Sequence, residues 1–260
     1  MMTAPAPNSR PGSTTHGVAD RPSGLSRRSD GRRSAGRPAA DPQPTGRQAA
    51  GWRGRVSAWA GVAYLVAWVA GLAAWPANLA LNATGAQVAA AHRTHVAAAT
   101  TQYLMVEGLA GLLLGVVLAS WLLGRRRAAA VAGRRTAIGL SVVAVITSLA
   151  QCGLGLAVIA AARQHQVASS GDLFALVNRL DGVKMLALAG VAACFVATRS
   201  PAARPPRWLA VTAVAMAVAL VASGVTYVVL ANPLAWTAFV SGPLLLIWVA
   251  GTGIWLTRRA

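Results

Sequence analysis

Two residues in this chain are placed to do chemistry where chemistry is expensive. Glu107 interrupts the apolar run 102–123, and Lys184, the single lysine, sits at the start of another such run near 180–198. A charged group at the centre of a membrane helix costs about 2.5–3.5 kcal/mol, so it should face the bundle interior and find a partner. Helical rise gives each residue a depth. Glu107 is 16 residues from Leu123, roughly 24 Å along the axis at 1.5 Å per residue. Gln151 lies 15 residues from Thr136, Lys184 15 from Arg199, Ser223 15 from Trp208 and Ser241 15 from Leu256, with Tyr227 a turn beyond Ser223. Five runs therefore set their most polar residue at one level. The spacing predicts that Glu107 and Lys184 meet, joined by Gln151, with Asp181 and Arg179 above them and Ser223, Tyr227 and Ser241 completing the layer. Such a layer is either a structural clasp or an outward-open binding site between the second, third and fourth runs.

Other chemistry has little to stand on. The sequence contains no HExxH, GxSxG or CxxC, and Lys184 is followed by Met185, which excludes a Walker A loop. No catalytic residue, metal set or cofactor site is assigned. His92 and His95 have an i,i+3 spacing that suits a metal, but no carboxylate or cysteine completes a set; they read as exposed interfacial histidines. Asn82-Ala83-Thr84 matches a glycosylation sequon. Cys152 and Cys194 differ in depth by more than the roughly 7 Å that a disulfide tolerates between Cα atoms, so they should stay unpaired.

The elements that must position these residues are helices in a membrane. Of 260 residues, 55% are hydrophobic and 12% charged, about half the charge of a soluble domain. Six runs approach the 20 or so residues that cross a bilayer: about 56–81, 102–123, 136–161, 180–198, 208–230 and 235–257. The fourth is the weakest, because its uncharged part starts only at Met185. The fold expected is all-α, a six-transmembrane-helix bundle over 51–260, preceded by a disordered, basic, Pro/Gly/Ser/Arg-rich tail over 1–50 that has too little apolar surface to fold. Asp172 is a candidate N-cap for an amphipathic helix leading into the fourth run.

Arginine sets the orientation. The formal charge is +18. Twenty positive residues fall in 1–55, in 124–135, in 199–207 and at Arg258 and Arg259, whereas the alternate connections hold Arg93, Arg163, Arg179 and Lys184. Strict alternation across six spans places both termini in the cytoplasm. The aromatics agree: Trp52, Trp59, Trp121, Trp208 and Trp255 mark the inner boundary, and Trp75, Tyr103 and Trp236 the outer one. The tail's arginines fit anionic lipid head groups at the cytoplasmic face; without aromatic interleaving or a folded module they do not fit nucleic acid.

The stretch Arg179-Leu180-Asp181-Gly182-Val183-Lys184-Met185, the segment Pro206-Arg207-Trp208-Leu209 and the closing run Gly242–Gly253 (GPLLLIWVAGTG) resemble a group of multi-pass, six-helix integral membrane proteins of actinobacteria whose function is unknown. The resemblance covers roughly 56–260. It implies a bacterial plasma-membrane location and brings no activity, substrate or catalytic residue with it.

Three readings follow. The first is a non-enzymatic accessory, regulatory or sensor component of the plasma membrane, working with the lipid bilayer and a membrane-protein partner the sequence does not name. The second is a small-molecule transporter or binding protein built on Glu107 and Lys184, against which stands a cytoplasmic half offering hydroxyls such as Ser141, Thr147, Thr212 and Thr252 but no charge. The third is a membrane-embedded enzyme acting on lipids at the outer face through Asp172, Asp181, His92, His95 or His165.

Overall fold

The computed structural model describes residues 47–75, 79–124, 131–197, 204–231 and 235–259. The expected disordered tail lies outside them except for its last four residues, which open the first helix. Among the described residues there is no strand. The helices are α1 (Arg47–Ala74), α2 (Gly85–Thr94), α3 (Val96–Gln102), α4 (Ala110–Gly124), α5 (Val131–Arg163), α6 (Val167–Val196), α7 (Arg207–Val229) and α8 (Ala238–Thr257); Tyr103–Leu109 forms a π-helical segment between α3 and α4.

Five helical stretches are long and apolar enough to cross a bilayer: Gly54–Ala74, Val96–Gly124, Gly133–Arg163, Arg207–Val229 and Ala238–Thr257. They fit an integral membrane protein. α6 has the length, but Arg179, Asp181 and Lys184 all fall within its last eighteen residues, so composition alone does not select it. Two boundaries differ from the sequence reading. α1 ends at Ala74, just ahead of Pro76, rather than at 81. α6 is one continuous helix from Val167, and its N-cap is Gln166 with no side-chain cap bond. Asp172 therefore lies inside α6, exposed, and caps nothing.

Packing is inverted relative to a water-soluble bundle. On α7, Val211, Val214, Val218, Val221, Val225 and Val229 point outward, while Leu209, Ala213, Met216, Leu220, Ser223 and Gly224 face inward. An outward valine stripe at helical spacing is stable only against hydrocarbon. The interior is built by α6, which packs along both α5 and α7, and by α1, which packs along α8 and α4. Glycine permits the closest approaches: Gly182 of α6 lies against the backbone of α7 at Gly224, and Gly253 of α8 against Ser57 of α1. Small residues let helix backbones meet where lipid offers no hydrophobic drive. Gly71 against Val106, and Gly111 against Ser148, do the same around the polar layer. Cys152 and Cys194 form no disulfide, as their depths require.

Outside the five spans, α2 crosses α5 and α6. Its start is fixed by a capping box: the Gln87 N–H donates to Thr84 Oγ1 at 3.4 Å and the Thr84 N–H to Gln87 Oε1 at 2.9 Å. The chain leading into the second span is helical too, broken once at His95 between α2 and α3. Arg93 Nη1 donates to His165 Nδ1 at 2.6 Å. This ties α2 to the α5–α6 turn, where His165 itself adopts a left-handed backbone with φ 60°.

The α6–α7 contact gives a test. A Cβ on Gly182 would lie 2.5 Å from the Gly224 carbonyl oxygen and 2.8 Å from the Val228 nitrogen. Alanine normally stabilises a helix interior relative to glycine, but here Gly182→Ala should destabilise by about 1–3 kcal/mol, as overpacked cores do. Gly139→Ala, which meets nothing within 4 Å, should not destabilise. Thermal midpoints in detergent compare the two; equal midpoints would contradict the close packing.

Candidate functional site

Glu107 and Lys184 meet, and with Asp181 they form an ion cluster. Lys184 Nζ lies 2.6 Å from Glu107 Oε2 and 2.8 Å from Asp181 Oδ1. Asp181 and Lys184 are one helical turn apart on α6, so one helix supplies both, while Glu107 reaches across from the π-helical segment. A π turn holds an extra residue per hydrogen-bonded ring, and such turns recur at functional sites. Here it changes what Glu107 offers: Ser148 Oγ of α5 lies 2.9 Å from Glu107 Oε2 and 3.0 Å from Glu107's own backbone oxygen. The serine hydroxyl thus donates to side chain and main chain of the same residue. Gly111 makes this possible, because a Cβ there would come within 2.7 Å of Ser148 Oγ.

The cluster forms part of the wall of a cavity of about 250 Å³. All six long helices contribute: Tyr64, Trp68 and Leu72 from α1, Ser148 from α5, Leu220 and Tyr227 from α7, Ser241 and Gly242 from α8, besides the charged residues. The expectation of a cavity between the second, third and fourth runs is therefore too narrow. Tyr64 and Trp68 lacked any signal in the sequence reading, since aromatic residues in an apolar run are ordinary; what marks Tyr64 is that it is only 3% exposed and carries a hydroxyl.

The remaining expected members divide. Ser241 and Tyr227 line the cavity. Ser223 bonds to Ser241 at 3.2 Å and to Thr237 at 2.8 Å, which pins α7 to the start of α8 behind the wall. Gln151 does not join Glu107 to Lys184. Its amide donates to the Val177 carbonyl at 3.1 Å, and its own oxygen has no partner among the described residues. Arg179 is exposed and makes no bond to the cluster. In both cases the depth was right and the azimuth was not.

Below the charges the bundle closes. Leu114, Leu188, Leu220 and Leu245 form the floor, and at the ends of α4, α6 and α8 Phe195 packs on Trp121, Trp248 and Trp255 with ring centroids 5.3–5.8 Å apart. Edge-to-face and tilted ring packing makes this an aromatic plug.

His92 corrects a second expectation. It is fully buried, not interfacial, in a cage of Trp75 (4.7 Å between centroids), Tyr103 (6.2 Å) and Phe174 (6.3 Å). Its Nδ1–H donates to the Val88 carbonyl at 2.9 Å, leaving Nε2 to accept from the Tyr103 hydroxyl at 3.4 Å. Both nitrogens are used by a neutral ring, and the cage has no room for a metal set; among the described residues no group of three metal-ligating side chains occurs. Tyr103 opens the π-helical segment, so the histidine braces the element that carries Glu107.

No family model, curated protein or solved structure matches this chain, so function has to be argued from this geometry.

Burial holds the His92 imidazole below its ordinary value of 6.5. The unfolded chain then takes up the proton more readily than the folded one. Stability is full above about pH 6.5 and is lost as pH falls below it toward the depressed folded value. Thermal unfolding of the wild type should weaken from pH 7 to pH 5, and His92→Gln should flatten that slope. An unchanged slope would show that His92 does not carry it.

Proposed function

We propose that this chain is a six-span, non-enzymatic plasma-membrane protein, N-in and C-in, that binds a small polar solute in the Glu107–Asp181–Lys184 cavity as a sensor or accessory component. The observation that carries the reading is the cavity itself: a clasp between helices needs paired charges, not a space of about 250 Å³ beside them. That volume falls below the roughly 300–1,000 Å³ of drug-sized sites, which points to a small solute.

Pairing also bears on α6 as the sixth span. Of the three charges in its last eighteen residues, Asp181 and Lys184 are paired within the cluster, which lowers the cost of burying them in hydrocarbon. With α6 counted, the arginine alternation gives termini on one side, and the cavity lies toward the outer end.

The leucine floor and the Phe195 plug favour binding over passage. They leave no polar route through the half of the bundle that the arginines assign to the cytoplasm, which weakens the transporter alternative. The lipid-enzyme alternative loses one of its candidate bases: His92 is committed to Val88 and Tyr103, and among the described residues neither His92 nor His95 bonds to Asp181.

Native mass spectrometry of the purified chain tests the reading. The wild type should retain a small molecule that Glu107→Gln loses. Retention undiminished in Glu107→Gln would remove the cavity from the function.

A further inference from the structure

The solute-binding reading leaves the ligand's charge open, and the cavity answers it. Two carboxylates face one ammonium. Lys184 Nζ is already shared between Glu107 and Asp181 at 2.6 and 2.8 Å, so with both carboxylates ionised the cluster carries one negative charge in excess. The second oxygens, Glu107 Oε1 and Asp181 Oδ2, have no hydrogen-bond partner among the described residues. An anion approaching Lys184 would meet both carboxylates first, and like charges at close range in a low-dielectric site repel strongly.

Aromatic groups supply the other half. Tyr64, Trp68 and Tyr227 line the same cavity, and none of their polar atoms has a hydrogen-bond partner among the described residues. Tyr64 is the most informative. It is 3% exposed and lines the cavity together with Glu107, Asp181 and Lys184. Carboxylates beside electron-rich rings form the environment that alkylammonium groups favour, through charge-assisted hydrogen bonds and cation–π attraction. An inorganic cation is poorly served, because the ammonium of Lys184 stands between the two carboxylates and no third metal-ligating side chain joins them.

We infer that the cavity takes a small organic monocation, an alkylammonium whose charged head sits against Glu107 and Asp181 and whose carbon body packs on Tyr64, Trp68 and Tyr227. The inference rests on the solute-binding reading and adds the sign of the ligand's charge.

An isosteric series tests it on the full chain in detergent: propylammonium, propanol and propionate, each titrated against the thermal midpoint. Propylammonium should raise the midpoint saturably and the other two should not. Asp181→Asn, which removes the excess charge, should weaken propylammonium about tenfold, the effect of one lost charge-assisted hydrogen bond. Preference for propionate or propanol overturns the assignment of charge and leaves solute binding standing. No saturable response to any of the three overturns both. Because the series is run on the wild type, it decides the matter even if Asp181→Asn folds poorly.

Discussion

An ammonium inside an apolar bundle has to be answered, and much of this structure follows from how Lys184 is answered. An unpaired charge buried there is costly by several kcal/mol, so α6 cannot sit where it does unless carboxylates meet it. Asp181 comes from the same helix, one turn away. Glu107 comes from a segment whose hydrogen-bond ladder is widened to a π turn, with Ser148 bonded to both its carboxylate and its main-chain oxygen. The glycines at 111 and 182 set the distances: the first lets α5 close on Glu107, the second lets α7 close on α6. Replacing either would move a backbone that the ion cluster needs in place.

The same constraint divides the bundle into two ends of different character. At one end the charges, hydroxyls and rings surround a cavity; at the other, leucines and the Phe195 aromatic cluster fill the space. Above the cavity, the buried His92 with its aromatic cage bears on Tyr103, where the π turn begins. The site is thus held from below by apolar packing and from the side by a neutral hydrogen-bonded histidine.

Much of this was legible in the sequence, and what was not has a physical reason. The long apolar runs and the lack of a disulfide between Cys152 and Cys194 follow from composition and helical rise. So does the meeting of Glu107 with Lys184, because an intramembrane charge has few partners to choose from. Depth alone, however, says nothing of azimuth, and so Gln151, at the right height, turns instead to the Val177 carbonyl. The π turn escaped notice because nothing in Tyr103–Leu109 distinguishes five-residue from four-residue hydrogen-bond rings, and it rotates every side chain beyond it. His92 was misplaced because a histidine in an alanine-rich loop helix reads as solvent-facing unless the Trp75, Tyr103 and Phe174 rings, distant in sequence, are known to close around it. Tyr64 and Trp68 look like span residues until the charges across from them are located.

The central claim is that Glu107 and Lys184 act as one energetic unit within the bundle. A double-mutant cycle in detergent unfolding measures it directly, with Glu107→Gln, Lys184→Met and the pair combined. Removing one partner of a buried ion pair strands the other, at about 3–5 kcal/mol. The account predicts that Lys184→Met, which strands both carboxylates, is more damaging than the double variant, with a coupling energy of about 1–3 kcal/mol. A double variant whose loss equals the sum of the two single losses would contradict it.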